Sequence, residues 1–336
     1  MTWGCIDANP GQGGSPLIEI DGGMDLFTVA FAANGEYIVG GGNKLGVWRV
    51  QDGKQMARMA ARCFAVSKDG RWIAAGENTN DEVFLWDAKS FEKVFSYKEH
   101  FNGILGVDFS PDSTRLVTAS QNRTATVWDV GTRKKVPRLD HGHWVIAAKY
   151  SPQGDRIATA TLDGSVRVWD GNDGRLLVDI PVKVTPQCNT GLLWFNNHLF
   201  VVSGSTIKQL EASTGSTVSE WPVHDATYVS CIALPKHGEF IAYSTDDTVT
   251  FWDTSTHTQL GLIQHPRHTY SIALSPDDQF LASVEERKIT IRSLSPIIVS
   301  ILFFWIMPHP NNFFVPSSFS TGFNPTVSST SHFSGT

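Results

Sequence analysis

The densest group of metal-ligating side chains is His141-Gly142-His143. Two imidazoles one residue apart can begin a zinc site, but zinc needs three or four protein ligands, and no third one stands at a recognisable spacing. A structural role is the better reading. Asp246-Asp247 reads as a turn acid beside a solvated neighbour rather than as an acid/base dyad. Asp163 and Asn122 also fall in turns, where a short carboxylate or amide caps backbone N–H groups. Gly11, Gly13 and Gly14 follow no strand and open no helix, so they read as a flexible leader and not as a phosphate loop. Cys5, Cys63, Cys188 and Cys231 contain no CxxC pair, and four cysteines in 336 residues make no disulfide framework. They read as reduced, mostly buried thiols, with Cys63, Cys188 and Cys231 on inner strands. These residues carry no catalytic constellation, no cofactor site and no metal site, and the thiols favour a cytoplasmic location, or a nuclear one.

Composition narrows the class further. A net charge of -6 at a pI near 6.0 lacks the basic excess that phosphate neutralisation requires, so nucleic acid is not expected as a partner. With 41% hydrophobic and 18% charged residues, the chain can bury a sizeable core and is not globally disordered. No basic patch precedes an apolar segment at the N-terminus, so no secretory signal is expected.

The elements that position these residues repeat. Trp48, Trp86, Trp128 and Trp169 follow one another at 38, 42 and 41 residues in the contexts GVWRV, FLWDA, TVWDV and RVWDG. Trp252, in TFWDT, stands two periods further on, with Leu210 midway in IKQLEAS, and Arg292 in KITIRSL lies 40 residues beyond it. Seven units result. Within each, apolar and polar residues alternate with period two between Asn, Asp and Gly turns, the pattern of short antiparallel strands. In the fourth unit, strands are predicted over Trp144 to Tyr150, Arg156 to Thr161, Ser165 to Trp169 and Arg175 to Ile180. One such sheet cannot bury both faces alone, so several must pack around an axis.

On these residues the chain resembles the WD40-repeat proteins over about residues 17 to 294. The resemblance implies an all-β, seven-bladed WD40 propeller, with a leader over 1–16 and a tail over 295–336. Pro16 to Ile20 is expected to complete the last blade, which stops after three strands at Leu294, and so to remove two open sheet edges. The family's structural tetrad implies that His141, Thr159, Asp163 and Trp169 are hydrogen-bonded, with His141 and Asp163 satisfying each other. The other units depart from it: the His100 unit carries Asn122 for the acid, and the His224 unit carries Ala242 for the hydroxyl.

From Ser293 to Thr336 there is no Asp, Glu, Lys or Arg. The apolar run over 297–307 would make a helix of roughly 16 Å, too short for a hydrocarbon core of about 30 Å. Three readings stand for it: a foreign C-terminus from a truncated or misread coding sequence, a sticky segment that docks on the propeller or a partner, and, least favoured, membrane contact. The remainder, rich in Ser, Phe, Pro and Thr, is expected to be disordered.

What remains is surface. In proteins of this family, partners dock where the His-side loops and the Asp turns emerge. Here the resemblance places Asp25, Phe27, Arg62, Gln121, Trp144, Ile146, Leu162, His268, Tyr270 and Glu285 at that rim. Exposed aromatic and Arg side chains have the composition of interface hot spots. The expectation is a monomeric, non-enzymatic scaffold for a protein or peptide. Its alternatives are a fragment or subunit of a larger signalling or ubiquitin-ligase assembly, and a propeller enzyme built from Asp25, Glu285, His268 and Arg62.

Overall fold

A computed structural model describes residues 16–61, 63–76, 81–98, 100–180, 182, 191–223 and 229–295. Arg62, His224, Cys5, Cys188, the leader before Pro16 and the tail beyond Ser295, with its 297–307 run, lie outside the described residues.

The described residues form seven four-stranded antiparallel sheets, the blades of a propeller. Blade 4 shows how sequence makes one. Its strands are Val145–Tyr150, Arg156–Thr161, Val166–Asp170 and Leu176–Ile180, each within a residue or so of the alternation read above. The first two strands meet with Tyr150 opposite Ile157 and Val145 opposite Thr161, and Trp169 lies opposite Ile157 on the third. The turn into the outer strand closes at Gly174, whose φ of +74° suits a residue without Cβ, and a Cβ there would stand 2.4 Å from Pro137. Burial falls outward: the inner three strands are mostly buried, while only Ile180 of the outer strand is.

Because each sheet is apolar on both faces, the core lies between blades rather than inside them. Seven apolar clusters occupy the seven blade interfaces among the described residues. Ile157 and Trp169 of blade 4 pack against Val117, Val127 and Leu139 of blade 3, while Ala158, Val166 and Val168 face Leu199 and Leu210 of blade 5. Leu210, fully buried opposite Leu199, stands where blades 1, 2, 3, 4 and 6 carry tryptophan, so an aliphatic side chain fills the same slot in blade 5.

The last sheet is assembled from both ends of the described chain. Its order is Ile18–Asp21, Lys288–Ser293, Phe280–Glu285, Thr269–Leu274, and Ile18 pairs with Ile291. The cluster between blades 7 and 1 holds Ile20 of the N-terminal strand together with Leu26, Val29, Ile289 and Ile291. A sheet edge is thereby covered.

One irregularity recurs with functional consequence. The inner strands of blades 1, 3, 4 and 7 each slip register at their first residues, between Leu26 and Thr28, Ile104 and Gly106, Val145 and Ala147, and Thr269 and Ser271. Such a bulge re-aims the extra residue at a sheet rim. The residues so inserted are Phe27, Leu105, Ile146 and Tyr270.

Candidate interaction face

One end of the propeller is built from two kinds of segment: the loop leading into each inner strand, and the tight turn between the second and third strands. Backbone hydrogen bonds stitch them across blades. His141 N–H donates to Arg123 O (2.9 Å), Thr269 N–H to Asp246 O (2.8 Å) and Leu26 N–H to Glu286 O (2.7 Å). The loops leading into blades 1, 4 and 7 are thus fixed to the turn of the preceding blade. Side chains on this face are carried by a stiff ring rather than by independent loops.

Beneath the face, blade 4 holds a relay of hydrogen bonds. Trp169 Nε1–H donates to Thr159 Oγ1 (2.8 Å), Thr159 Oγ1 lies 2.8 Å from His141 Nε2, and His141 Nδ1 lies 3.0 Å from Leu139 O. A carbonyl only accepts, so Nδ1 carries the proton. Nε2 of a neutral imidazole then accepts from the Thr159 hydroxyl, and every polar group is used once. Burial drives the His141 pKa down to about 4, in keeping with the neutral ring. The expected His141 to Asp163 contact is not made. Asp163 Oδ1 instead accepts from Thr161 Oγ1 (2.5 Å) and Ser165 N–H (3.2 Å), while Leu139 takes the imidazole N–H. The Thr161 bond, foremost, holds the Asp163 carboxyl below its ordinary pKa.

In blade 3 the chain runs on to its fourth member although that member is an amide. Trp128 Nε1–H and His100 Nε2 meet at Thr118 Oγ1 (3.0 and 2.8 Å), and His100 Nδ1 lies 3.3 Å from Asn122 Oδ1. The difference lies in the hydroxyl two residues earlier. Ser120 donates to Asn102 O (2.8 Å), and Asn122 Oδ1 meets the imidazole while also accepting from Thr124 Oγ1–H (2.6 Å) and Thr124 N–H (3.2 Å), whereas Thr161 donates to Asp163. In blade 6, Ala242 offers no hydroxyl, and Trp252 Nε1–H reaches Tyr243 Oη (3.3 Å).

The depressed pKa of His141 gives a stability prediction. The unfolded imidazole, near 6.5, binds its proton more readily than the folded one, so stability is full above pH 6.5 and falls as pH drops toward 4. Between pH 7 and pH 5 the loss from this group is about 2 kcal/mol. Urea unfolding at the two pH values should show that loss in the parent chain and a smaller one in His141→Leu; equal losses would contradict the assignment.

The residues expected at the rim divide. Phe27 (44% exposed) and Trp144 (40%) are open to solvent, and Asp25 is exposed beside the first. Tyr270 stands edge-on between Phe27 (5.5 Å between centroids) and His268 (4.4 Å), and His268 Nδ1 lies 3.5 Å from Asp246 Oδ1. Gln121 is half-buried, its N–H donating to Gly103 O. Leu162 is half-buried against the cluster between blades 4 and 5.

Two rim expectations need correction. Ile146, only 9% exposed, packs into that same cluster, because the small Ala147, Ala158 and Ala160 beside it leave room for its bulge-inserted side chain. Glu285, 5% exposed, occupies the register position of Thr161, opposite the first residue of the inner strand, and lies 2.6 Å from His265 Nδ1. Burial raises its pKa, but the His265 bond and charge outweigh that and leave it lowered. Near it, Arg292 fills the tryptophan slot of blade 7, opposite Leu281 as Trp169 is opposite Ile157.

Sequence reasoning missed Phe101, which at 66% is the most exposed large apolar side chain among the described residues. It directly follows His100 in the loop leading into blade 3, and that adjacency was the available signal.

A ring of seven four-stranded blades, two of them holding a histidine-threonine-tryptophan relay, is a WD40 β-propeller. The "WD domain, G-beta repeat" family model matches residues 91–129, 134–170 and 215–253, parts of blades 2–3, 3–4 and 5–6. Among curated relatives, "WD repeat-containing protein 1" of Gallus gallus is 36% identical over 83 residues, 24% of this chain and 14% of the relative. "WD repeat-containing protein 18" of Danio rerio is 25% identical over 127 residues, 35% of this chain and 29% of the relative. The chain therefore matches 14% and 29% of the length of these relatives. The solved structure described as "Crystal structure of RRP9 WD40 repeats" superposes with a TM-score of 0.74 at 16% identity, covering 84% of this chain and 98% of that one. Propellers of this family are in general non-enzymatic scaffolds for protein partners.

Proposed function

We propose that this chain is a non-enzymatic scaffold that binds a protein or peptide on the face formed by its leading loops and tight turns. The observation that carries the reading is the set of aromatic side chains held open there on fixed backbone: Phe27, Phe101 and Trp144, with Tyr270 wedged between Phe27 and His268. Rigid aromatics lose little entropy on binding and dominate interface energetics. The reading includes a monomeric propeller, no nucleic-acid partner given the charge of -6, and a cytoplasmic or nuclear setting. An enzymatic site would need acid and base to converge at the channel mouth, and Glu285 is instead buried against His265.

Trp144 is the test residue. Its backbone carbonyl accepts from Leu162 N–H (2.9 Å), a bond that Trp144→Ala retains, and its ring is 40% exposed. The substitution should leave the melting temperature nearly unchanged and weaken a captured partner by about 2 kcal/mol or more. Affinity capture with the full chain, repeated with a Trp144→Ala, Tyr270→Ala double variant, checks this. Undiminished capture, or a variant that mainly loses stability, would defeat the reading.

A further inference from the structure

The ring has a second mouth, at the far ends of the inner strands, and a pocket of 300 Å³ opens there across strand ends of blades 2 to 5. We propose that this pocket is a second docking site, which takes an acidic segment of a protein partner with a carboxylate beside an apolar side chain.

Its walls are apolar and fixed. Pro111, Pro152, Leu193 and Trp194 line it, and Trp194 Nε1–H donates to Lys149 O (3.0 Å), pinning the indole across the boundary of blades 4 and 5. Its charge is unbalanced. Lys68 and Lys149 line the pocket against a single carboxylate, Asp108. Both oxygens of that carboxylate are engaged, Oδ1 by Lys149 Nζ (3.2 Å) and Oδ2 by Tyr150 N–H (2.9 Å). Lys68 is exposed and forms no ion pair among the described residues.

The nearby turn acids are directed back onto their own turns. Asp69 Oδ1 accepts from Ser67 Oγ (2.6 Å) and Arg71 N–H (3.1 Å), and Asp112 Oδ1 accepts from Ser110 Oγ (2.6 Å) and Thr114 N–H (3.1 Å). An unmatched ammonium over a Pro and Trp wall complements a carboxylate flanked by an apolar group. The volume lies at the lower bound for ligand pockets, which suits one or two side chains of a peptide rather than a larger cofactor. The site is at the opposite end from the aromatic face, so its success or failure is independent of the function proposed above.

The probe is a random dodecapeptide library displayed on phage and selected on the immobilised full chain. Selected peptides that depend on the pocket should carry Asp or Glu next to an apolar residue, and a synthetic copy should bind more weakly as salt is raised. Lys68→Glu, at an exposed turn position, should lower its affinity at least tenfold with an unchanged melting temperature, while Trp144→Ala should leave it unaltered. Selection of no acidic peptides, equal binding to Lys68→Glu, or loss through Trp144→Ala would each overturn the proposal. Displacement by millimolar inorganic phosphate would overturn it too, by marking a small-anion site instead.

Discussion

A chain that begins at Gly22 is expected to lose cooperative unfolding and to aggregate. The missing strand, Ile18–Asp21, supplies Ile20 to the cluster between blades 7 and 1 and pairs along Lys288 to Ile291. Leu17 N–H to Ile291 O (2.9 Å), Gly22 N–H to Arg287 O (2.6 Å) and the Lys288 to Glu19 ion pair flank it. Its removal uncovers the backbone edge of Lys288–Ser293 and part of an interblade core together, and an apolar open edge is a template for intermolecular pairing. A propeller is a ring, so loosening one interface loosens the constraint on all of them. A chain ending at Leu294, by contrast, keeps every strand of the seven sheets, and Leu294 itself is fully buried with its N–H bonded to Gln279 O. Sedimentation and thermal unfolding of the two truncated chains beside the full one check this. A cooperative, monomeric chain beginning at Gly22 would show that the N-terminal strand does not close the ring, and failure of the chain ending at Leu294 would show that residues beyond it are structural.

The second large effect is expected at Thr159. Thr159→Val keeps the shape and the strand preference but removes the hydroxyl that accepts from Trp169 Nε1–H and donates to His141 Nε2. Two buried groups lose their partner at about 1–3 kcal/mol each, so the loss is about 2–6 kcal/mol. Asp163→Ala should cost less than about 1 kcal/mol, because the carboxylate is exposed and serves only its own turn. Urea titrations of the two variants give the ordering directly. A larger loss for Asp163→Ala would restore the four-member tetrad and contradict the relay ending at Leu139.

The repeat was legible because each blade buries its third-strand side chain in the same interblade slot, and Trp at near-41-residue spacing marks that slot even where Leu210 or Arg292 fills it. Turn positions were legible for a similar reason: Ser151, Gly154 and Gly174 are demanded by local backbone geometry. What failed to show were contacts decided by competition among neighbours. Nothing in the letters says that Thr161 will take Asp163 from His141, while Ser120 turns toward Asn102 and Asn122 Oδ1 is shared between Thr124 and His100. The rim suffered the same limit. Ile146 and Tyr270 were both expected at the rim and both prove to sit at inner-strand bulges, yet one packs among alanines and the other stands beside an open Phe27. Glu285 was misplaced by one residue of register: it was aligned with Leu162 but stands where Thr161 does, opposite the first residue of the inner strand, and its burial is offset by His265.

The most direct test of the central claim, that partners bind on the face of the leading loops and tight turns, is photo-cross-linking from two positions of the full chain. A photo-reactive phenylalanine analogue at Phe101 lies on that face and is 66% exposed, and the same analogue at Val218 lies on the outer strand of blade 5 and is 51% exposed. The account predicts that a captured partner cross-links from Phe101 and not from Val218. Cross-linking from Val218 alone would place the partner on the outer wall of the propeller and contradict it.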